Sequence, residues 1–223
     1  MGKRRRGPQL DDAIRRRLRV RRRLTVSLVA MAVAMAFVSI GQLAGFIGRD
    51  VSGDLARFDR ADVRVERVVD GDTLDVLRPG DSEPTRVRLV GVDAPELHDQ
   101  GTGQPAYWAD ESTRVARARC EGKAVLLRLP ELGTRDKYGR LLAYVYLSNS
   151  ESLNEFLVRT GNTYADRRFD HPFRAVYEQA ENEARKKERG LWKLVRDDQQ
   201  PAWRRQWLEE RRKAREANER RER

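Results

Sequence analysis

Residues 24–48 carry no ionisable side chain, and apart from small hydroxyls, glycines and Gln42 the run LTVSLVAMAVAMAFVSIGQLAGFIG is apolar. As a helix it rises about 36–38 Å, enough to cross a hydrocarbon core of about 30 Å with some tilt. The sequence therefore predicts a transmembrane signal-anchor helix there, and any water-exposed domain must be built from the residues after Gly48. Residues 1–23 hold eleven Lys and Arg against Asp11 and Asp12, so the positive-inside rule keeps this basic segment cytoplasmic. The expected location is a single pass through the cell inner membrane, with the folded domain periplasmic or extracellular. A cleaved signal peptide is the alternative, since Ala32-Val33-Ala34 and Ala34-Met35-Ala36 both offer small-residue cleavage patterns. The apolar run continues about a dozen residues past them, which favours an uncleaved anchor; cleavage would make the protein secreted.

A net charge of +11 suggests nucleic-acid binding, but its distribution argues otherwise. Residues 1–23 contribute +9 and residues 202–223 contribute +4, leaving −2 for the middle. That is a poor electrostatic footprint for pure DNA binding. The single cysteine, Cys120, excludes an internal disulfide and any multi-cysteine metal site. His98 and His171 are too few for a three-histidine zinc site. Any Ser-His-Asp arrangement would have to use one of those two histidines, so for an enzyme the expected chemistry rests on carboxylates and arginines.

Residues 49–61 read as a short polar linker, 62–195 as the folded domain and 196–223 as a charged helical tail. Val63, Val65 and Val68-Val69, then Leu74, Val76 and Leu77, alternate with polar residues as half-buried strands do, with Asp70-Gly71-Asp72 as the tight turn between them. Residues 85–92, 123–129 and 141–147 supply three more strands. Helices are expected over 105–120, 152–160 and 171–189, followed by Gly122, Gly161 and Gly190 as stops. Five strands with interposed helices suggest a small Greek-key barrel, with the OB type as the leading form. In the tail, Trp203, Trp207 and Leu208 share one helical face. The Glu/Arg pairing favours a solvated helix, with docking onto nucleic acid or a membrane surface as the alternative.

Carboxylates gather at two turns, Asp70, Asp72 and Asp75 in DGDTLD and Asp93 and Glu96 in DAPE. Meeting at the ends of neighbouring strands, they would suit a hard cation such as Ca²⁺. Spacing alone leaves this open, because Asp-Gly is also the ordinary turn dipeptide. Arg86, Arg88 and Arg140 offer planar donor forks for phosphate oxygens, or surface salt bridges. Residues 101–106 match a dinucleotide-binding glycine pattern only formally, because no apolar strand precedes them.

In chain order, VVDGDTLDV, VRLVGVDAPE, TRDKYGRLLAYVY, LNEFLVRTG and a helix ending in GLW resemble the staphylococcal nuclease (thermonuclease) family over residues 64–192. The resemblance implies a β-barrel with helices, an α+β fold whose five-stranded OB-type Greek-key barrel carries three helices. It also implies a Ca²⁺-dependent phosphodiesterase acting on DNA and RNA. Position by position, it makes Asp72 and Asp93 calcium ligands, joined by the backbone carbonyl of Ala94, where the family carries a threonine. Glu96 becomes the residue that positions or deprotonates the attacking water, and Arg88 and Arg140 those that hold the scissile phosphate. Lys137 and Tyr138 are implied to line the nucleotide pocket. Arg167 and Phe169 fall, without gaps, where the family has two tyrosines; Phe169 can still stack on a base and Arg167 pair with a phosphate.

All five charged positions, Asp72, Arg88, Asp93, Glu96 and Arg140, are present. The expectation is therefore a membrane-anchored, calcium-dependent endonuclease. The alternative is a non-catalytic OB-type module binding nucleic acid or protein, which would typically have lost those charges. A third reading places the main function in the basic N-terminus and the tail. Expected partners are a DNA or RNA substrate and the membrane, with no protein partner predictable and the chain a monomer.

Overall fold

Val63, Val65 and Val68 point inward from β1 (Asp62–Val68), and a register shift between Val65 and Arg67 breaks their alternation. This bulge twists β1 against β2 (Thr73–Leu77) so that the ribbon can curl. In the computed structural model, which describes residues 51–98, 103–131 and 133–221, β2 then pairs with β3 (Thr85–Leu89). The strand β3 runs parallel to β6 (Leu141–Leu147), β6 pairs with β5 (Ala124–Arg128), and β5 returns to β1. The result is the expected five-stranded closed barrel, in the order β1-β2-β3-β6-β5. Its interior is filled by Val65, Leu74, Val87, Leu89, Leu127, Leu141 and Val145, all essentially without solvent contact.

Two short strands, β4 (Val92–Asp93) and β7 (Tyr164–Ala165), form a separate ladder beside the barrel. Helix α2 (Ala109–Cys120) begins at Trp108, whose left-handed φ of 72° keeps the chain from Pro105 onward out of the helix expected there. Helix α3 (Leu153–Arg159) carries Asn154, fully buried, which accepts from Val145 N–H (3.0 Å) and donates to Val90 O (2.9 Å). One side chain thus ties α3, the barrel and the turn before Asp93 together. After helix α4 (Arg174–Lys186) the chain doubles back where Gly161 and Gly190 meet, both at positive φ. A Cβ on either would overlap backbone of the other segment.

Two expectations need correction. The polar linker is not a linker: residues 51–58 form helix α1, with Phe58 in the core and Asp54 accepting from Thr134 Oγ1 (2.9 Å) and Arg135 Nη2 (2.7 Å). Asp54 therefore braces the loop that leads into Lys137, Tyr138 and Arg140. Nor is the tail wholly solvated. Helix α5 (Ala202–Arg221) docks by its first two turns, where Arg204 donates to Glu181 Oε1 (2.8 Å) with both side chains 0% exposed. Only the later turns behave as an exposed helix with i,i+4 pairs such as Lys213–Glu209 and Arg215–Glu219.

The described residues all fall within the compact unit Asp50–Arg223; the basic segment 1–23 and the expected helix 24–48 lie outside them. Among the described residues no helix is long and apolar enough to cross a membrane. Cys120 ends α2 fully buried, and burial pushes its thiol up to about 12. Thiol reagents at neutral pH are expected to label it only after denaturation, and rapid labelling of native protein would contradict this packing.

Candidate active site

The turn after β1 is built around Asp70, whose carboxylate accepts from Asp72 N–H (2.9 Å). Gly71 is required there, because a Cβ would overlap Ser112 of α2 and crowd Ala94. The turn delivers Asp72 to a buried position, where its oxygens accept from Thr73 Oγ1 (3.0 Å) and Ala94 N–H (2.6 Å). The two acidic turns of the sequence therefore do meet. Arg88 fixes the meeting, with Nη1 3.0 Å from Asp72 Oδ2 and Nη2 3.0 Å from Asp93 Oδ1. Arg88 also donates to Leu89 O (3.0 Å) and Val92 O (2.8 Å), so one guanidinium closes the corner between β3 and β4.

Asp75 and Arg86 do not join this centre. They pair with each other (2.8 Å), and Arg67 adds a second guanidinium to Asp75 (2.7 Å). Register explains the split: Asp75 lies directly opposite Arg86 on the neighbouring strand, two residues along from the Thr73–Arg88 pair that borders the centre.

Burial pushes the Asp72 carboxyl up to about 6, with Arg88 opposing and Asp70 adding to the rise. Burial, then the Asp72 charge, also raises Asp93. Glu96 is shifted upward by partial burial and by Asp72 and Asp93, while Arg88 and Arg140 pull it down. Glu96 thus lies within the field of both the carboxylate pair and both arginines. Among the described residues no three His, Cys, Asp or Glu side chains stand in metal-holding geometry. Asp72 and Asp93 are the two carboxylates that the structure brings to this corner.

Asp136 builds the second wall. Its carboxylate accepts from Tyr138 N–H (2.9 Å), Arg140 N–H (3.0 Å) and Arg140 Nε (2.7 Å). Tyr138 is 69% exposed, with Lys137 Nζ 4.9 Å and Arg140 Cζ 5.4 Å from its ring centre. Phe169 is likewise open at 64%, with Arg168 against its ring.

Arg167 departs from expectation. Its side chain is 6% exposed, pairs with Glu178 and Glu181 and stacks 4.0 Å from the Trp207 ring, which removes it from phosphate contact. The guanidinium that reaches the carboxylates is the next one, Arg168, 2.7 Å from Asp93 Oδ1 and also paired with Asp166. An ungapped count could not separate adjacent arginines, because the choice depends on which one α4 and α5 bury. Trp203 is a second omission: its indole Nε1 donates to Asp93 Oδ2 at 2.8 Å from a helix 110 residues away in the chain.

The chain is similar in sequence to known proteins. The family described as staphylococcal nuclease homologue matches residues 86–194. An uncharacterised endonuclease of Escherichia coli O157:H7 is 36% identical over 140 residues, covering 63% of this chain and 81% of its own. The thermonuclease of Staphylococcus intermedius is 37% identical over 131 residues, 57% of this chain and 74% of its own. That of Staphylococcus hyicus is 30% identical over 172 residues, 77% of this chain and 98% of its own.

Proposed function

This chain belongs to the staphylococcal nuclease homologue family, and from that premise we propose that it is a membrane-anchored, calcium-dependent endonuclease hydrolysing phosphodiester bonds of DNA, RNA or both. The observation that carries the reading is the Asp72–Arg88–Asp93 bridge with Glu96 and Arg140 in its field. The donor set fits a hard divalent cation: Asp72 and Asp93 bring carboxylate oxygens to one corner, where Arg88 holds them together. Asp72, Asp93 and the Ala94 carbonyl are the residues that would hold it. When bound, calcium supplies positive charge to the phosphoryl oxygens and a place for water.

Glu96, shifted above the usual carboxylate range, is the residue that would orient the attacking water and take its proton. Arg140, partly exposed and with one carboxylate partner, is available to a phosphate oxygen. Arg88 already gives bonds from both Nη atoms to protein acceptors, which fix its place between the two carboxylates. Tyr138 and Phe169 present exposed rings on which bases can stack, and Lys137 adds a cation at the rim.

Full-length protein in detergent, mixed with single-stranded DNA, duplex DNA and RNA in calcium or in chelator, tests the reading. Cleavage in calcium that stops in chelator supports it; intact substrates from folded protein would favour the non-catalytic module. The anchor rests on the sequence of residues 1–48, and protease added to spheroplasts, stripped of any outer membrane, should remove the domain while sparing cytoplasmic proteins.

The shift on Asp72 also sets a pH dependence. A raised carboxyl pKa means that the metal-free fold binds more protons than the unfolded chain between 3.8 and about 6. Without calcium, this group's contribution to stability therefore falls as pH rises through that window. Calcium needs the ionised form, so its half-saturating concentration is expected to increase below about pH 6. Calcium titrations at pH 5 and pH 7.5 check the sign; equal affinities at both would contradict it.

A further inference from the structure

Asp93 is held by three donors from three parts of the chain. Its Oδ1 accepts from Arg88 Nη2 (3.0 Å) and Arg168 Nη2 (2.7 Å), and its Oδ2 accepts from the Trp203 indole (2.8 Å). A carboxylate offers about four acceptor directions, so Oδ1 is filled and Oδ2 keeps one. The indole that shares Oδ2 is a neutral donor with no acceptor capacity, so it fixes the direction of the oxygen without cancelling its charge. The Arg168 guanidinium lies 5.0 Å from the Trp203 ring centre, which joins the two supports into one unit.

The placement of Trp203 is built in by its neighbours. Arg204 is fully buried, donating to Glu181 Oε1 (2.8 Å) and Gln200 Oε1 (2.9 Å), with its guanidinium against the rings of Tyr164 and Trp192. One turn on, Trp207 stacks on Arg167 at 4.0 Å. These contacts clamp the first turns of α5 to α4 and β7, and β7 pairs directly with β4, which carries Asp93.

Building on the calcium-nuclease reading above, we propose that α5 is a working part of the site and that Trp203 is a positioning residue, aiming the free direction of Asp93 Oδ2 at the metal. The tail then contributes to metal affinity through Asp93 and touches neither substrate nor metal itself.

The test uses full-length protein in detergent and calcium alone as the probe, with binding read by calorimetry in the absence of substrate. Trp203→Phe keeps the ring and removes only the donor. Lys213→Ala, on the exposed later turns, is the control on the same helix, and Trp203→His, which keeps a ring N–H, is the second variant. Trp203→Phe is expected to weaken calcium about 10–100-fold, the usual effect of losing a hydrogen bond to a metal ligand. The metal-free melting temperature should stay close to wild type, Lys213→Ala should leave affinity unchanged, and Trp203→His should recover part of it. Wild-type affinity in Trp203→Phe would overturn the proposal, and so would tighter binding, which would make the indole a competitor of the metal. Wild-type protein that neither binds calcium nor cleaves would instead overturn the nuclease reading. Wild type that does both, beside an unaltered Trp203→Phe, overturns only the role of Trp203.

Discussion

Replacing Arg140 by alanine is expected to lower the cleavage rate by about 10²–10³, by analogy with removing one preorganised donor from a transition-state oxygen. Arg140 is the cleaner of the two arginines to test. Its Nε is held by Asp136 (2.7 Å) at the surface of a turn that main-chain donors to Asp136 also stabilise. The turn therefore survives its loss, and circular dichroism should be unchanged. Arg88→Ala confounds chemistry with structure, because it leaves Asp72 and Asp93 facing each other with no shared cation. Arg140→Lys should not restore the rate, since a point charge cannot reproduce a planar fork. A rate within a few-fold of wild type in Arg140→Ala would remove Arg140 from the chemistry.

Arg204→Ala should destabilise the domain by about 3–5 kcal/mol, the range for breaking a buried ion pair from one side. Glu181 would remain at 0% exposure, still accepting from Ala165 N–H (3.1 Å) and Arg167 but deprived of its shortest partner. Removing Glu181 as well offers no rescue, because that same carboxylate satisfies the β7 backbone and Arg167. Urea unfolding of wild type and variant measures the difference. A loss below about 1 kcal/mol, typical of an exposed pair, would mean that α5 is not docked in solution.

The barrel was legible because its signals are local. Alternating valines, an Asp-Gly turn and glycines after each helix give strands and stops without knowledge of the fold, and β6 falls on the expected residues 141–147. The two errors in organisation share a cause. Residues 51–58 and 202–208 span only about two helical turns each, too short for a periodic apolar face to stand out, yet each buries side chains against distant partners. Asp54 finds Thr134 and Arg135, and Arg204 finds Glu181. Such pairings, 23 to 81 residues apart, leave no periodic trace, and a buried arginine looks like a solvated one until its acceptor is known.

The site divides in the same way. Asp72, Arg88, Asp93, Glu96 and Arg140 were legible through ordered motifs, and the structure brings the first three into contact. Arg168 and Trp203 were not, because they reach Asp93 only once β7 and α5 are in place. Trp203 did lie on an apolar stripe with Trp207 and Leu208, a signal that pointed to docking of some kind but not to where.

The central claim is that the carboxylates at the β2–β4 corner are the reaction centre. Its most direct test is the rate of oligonucleotide cleavage by wild type, Glu96→Gln and Asp72→Asn at matched, saturating calcium, with melting temperatures measured on the same samples. Both variants are expected to stay folded, and Glu96→Gln to lose about 10²–10⁴ in rate, the contribution of a positioned general base. Folded variants that cleave at the wild-type rate would contradict the claim.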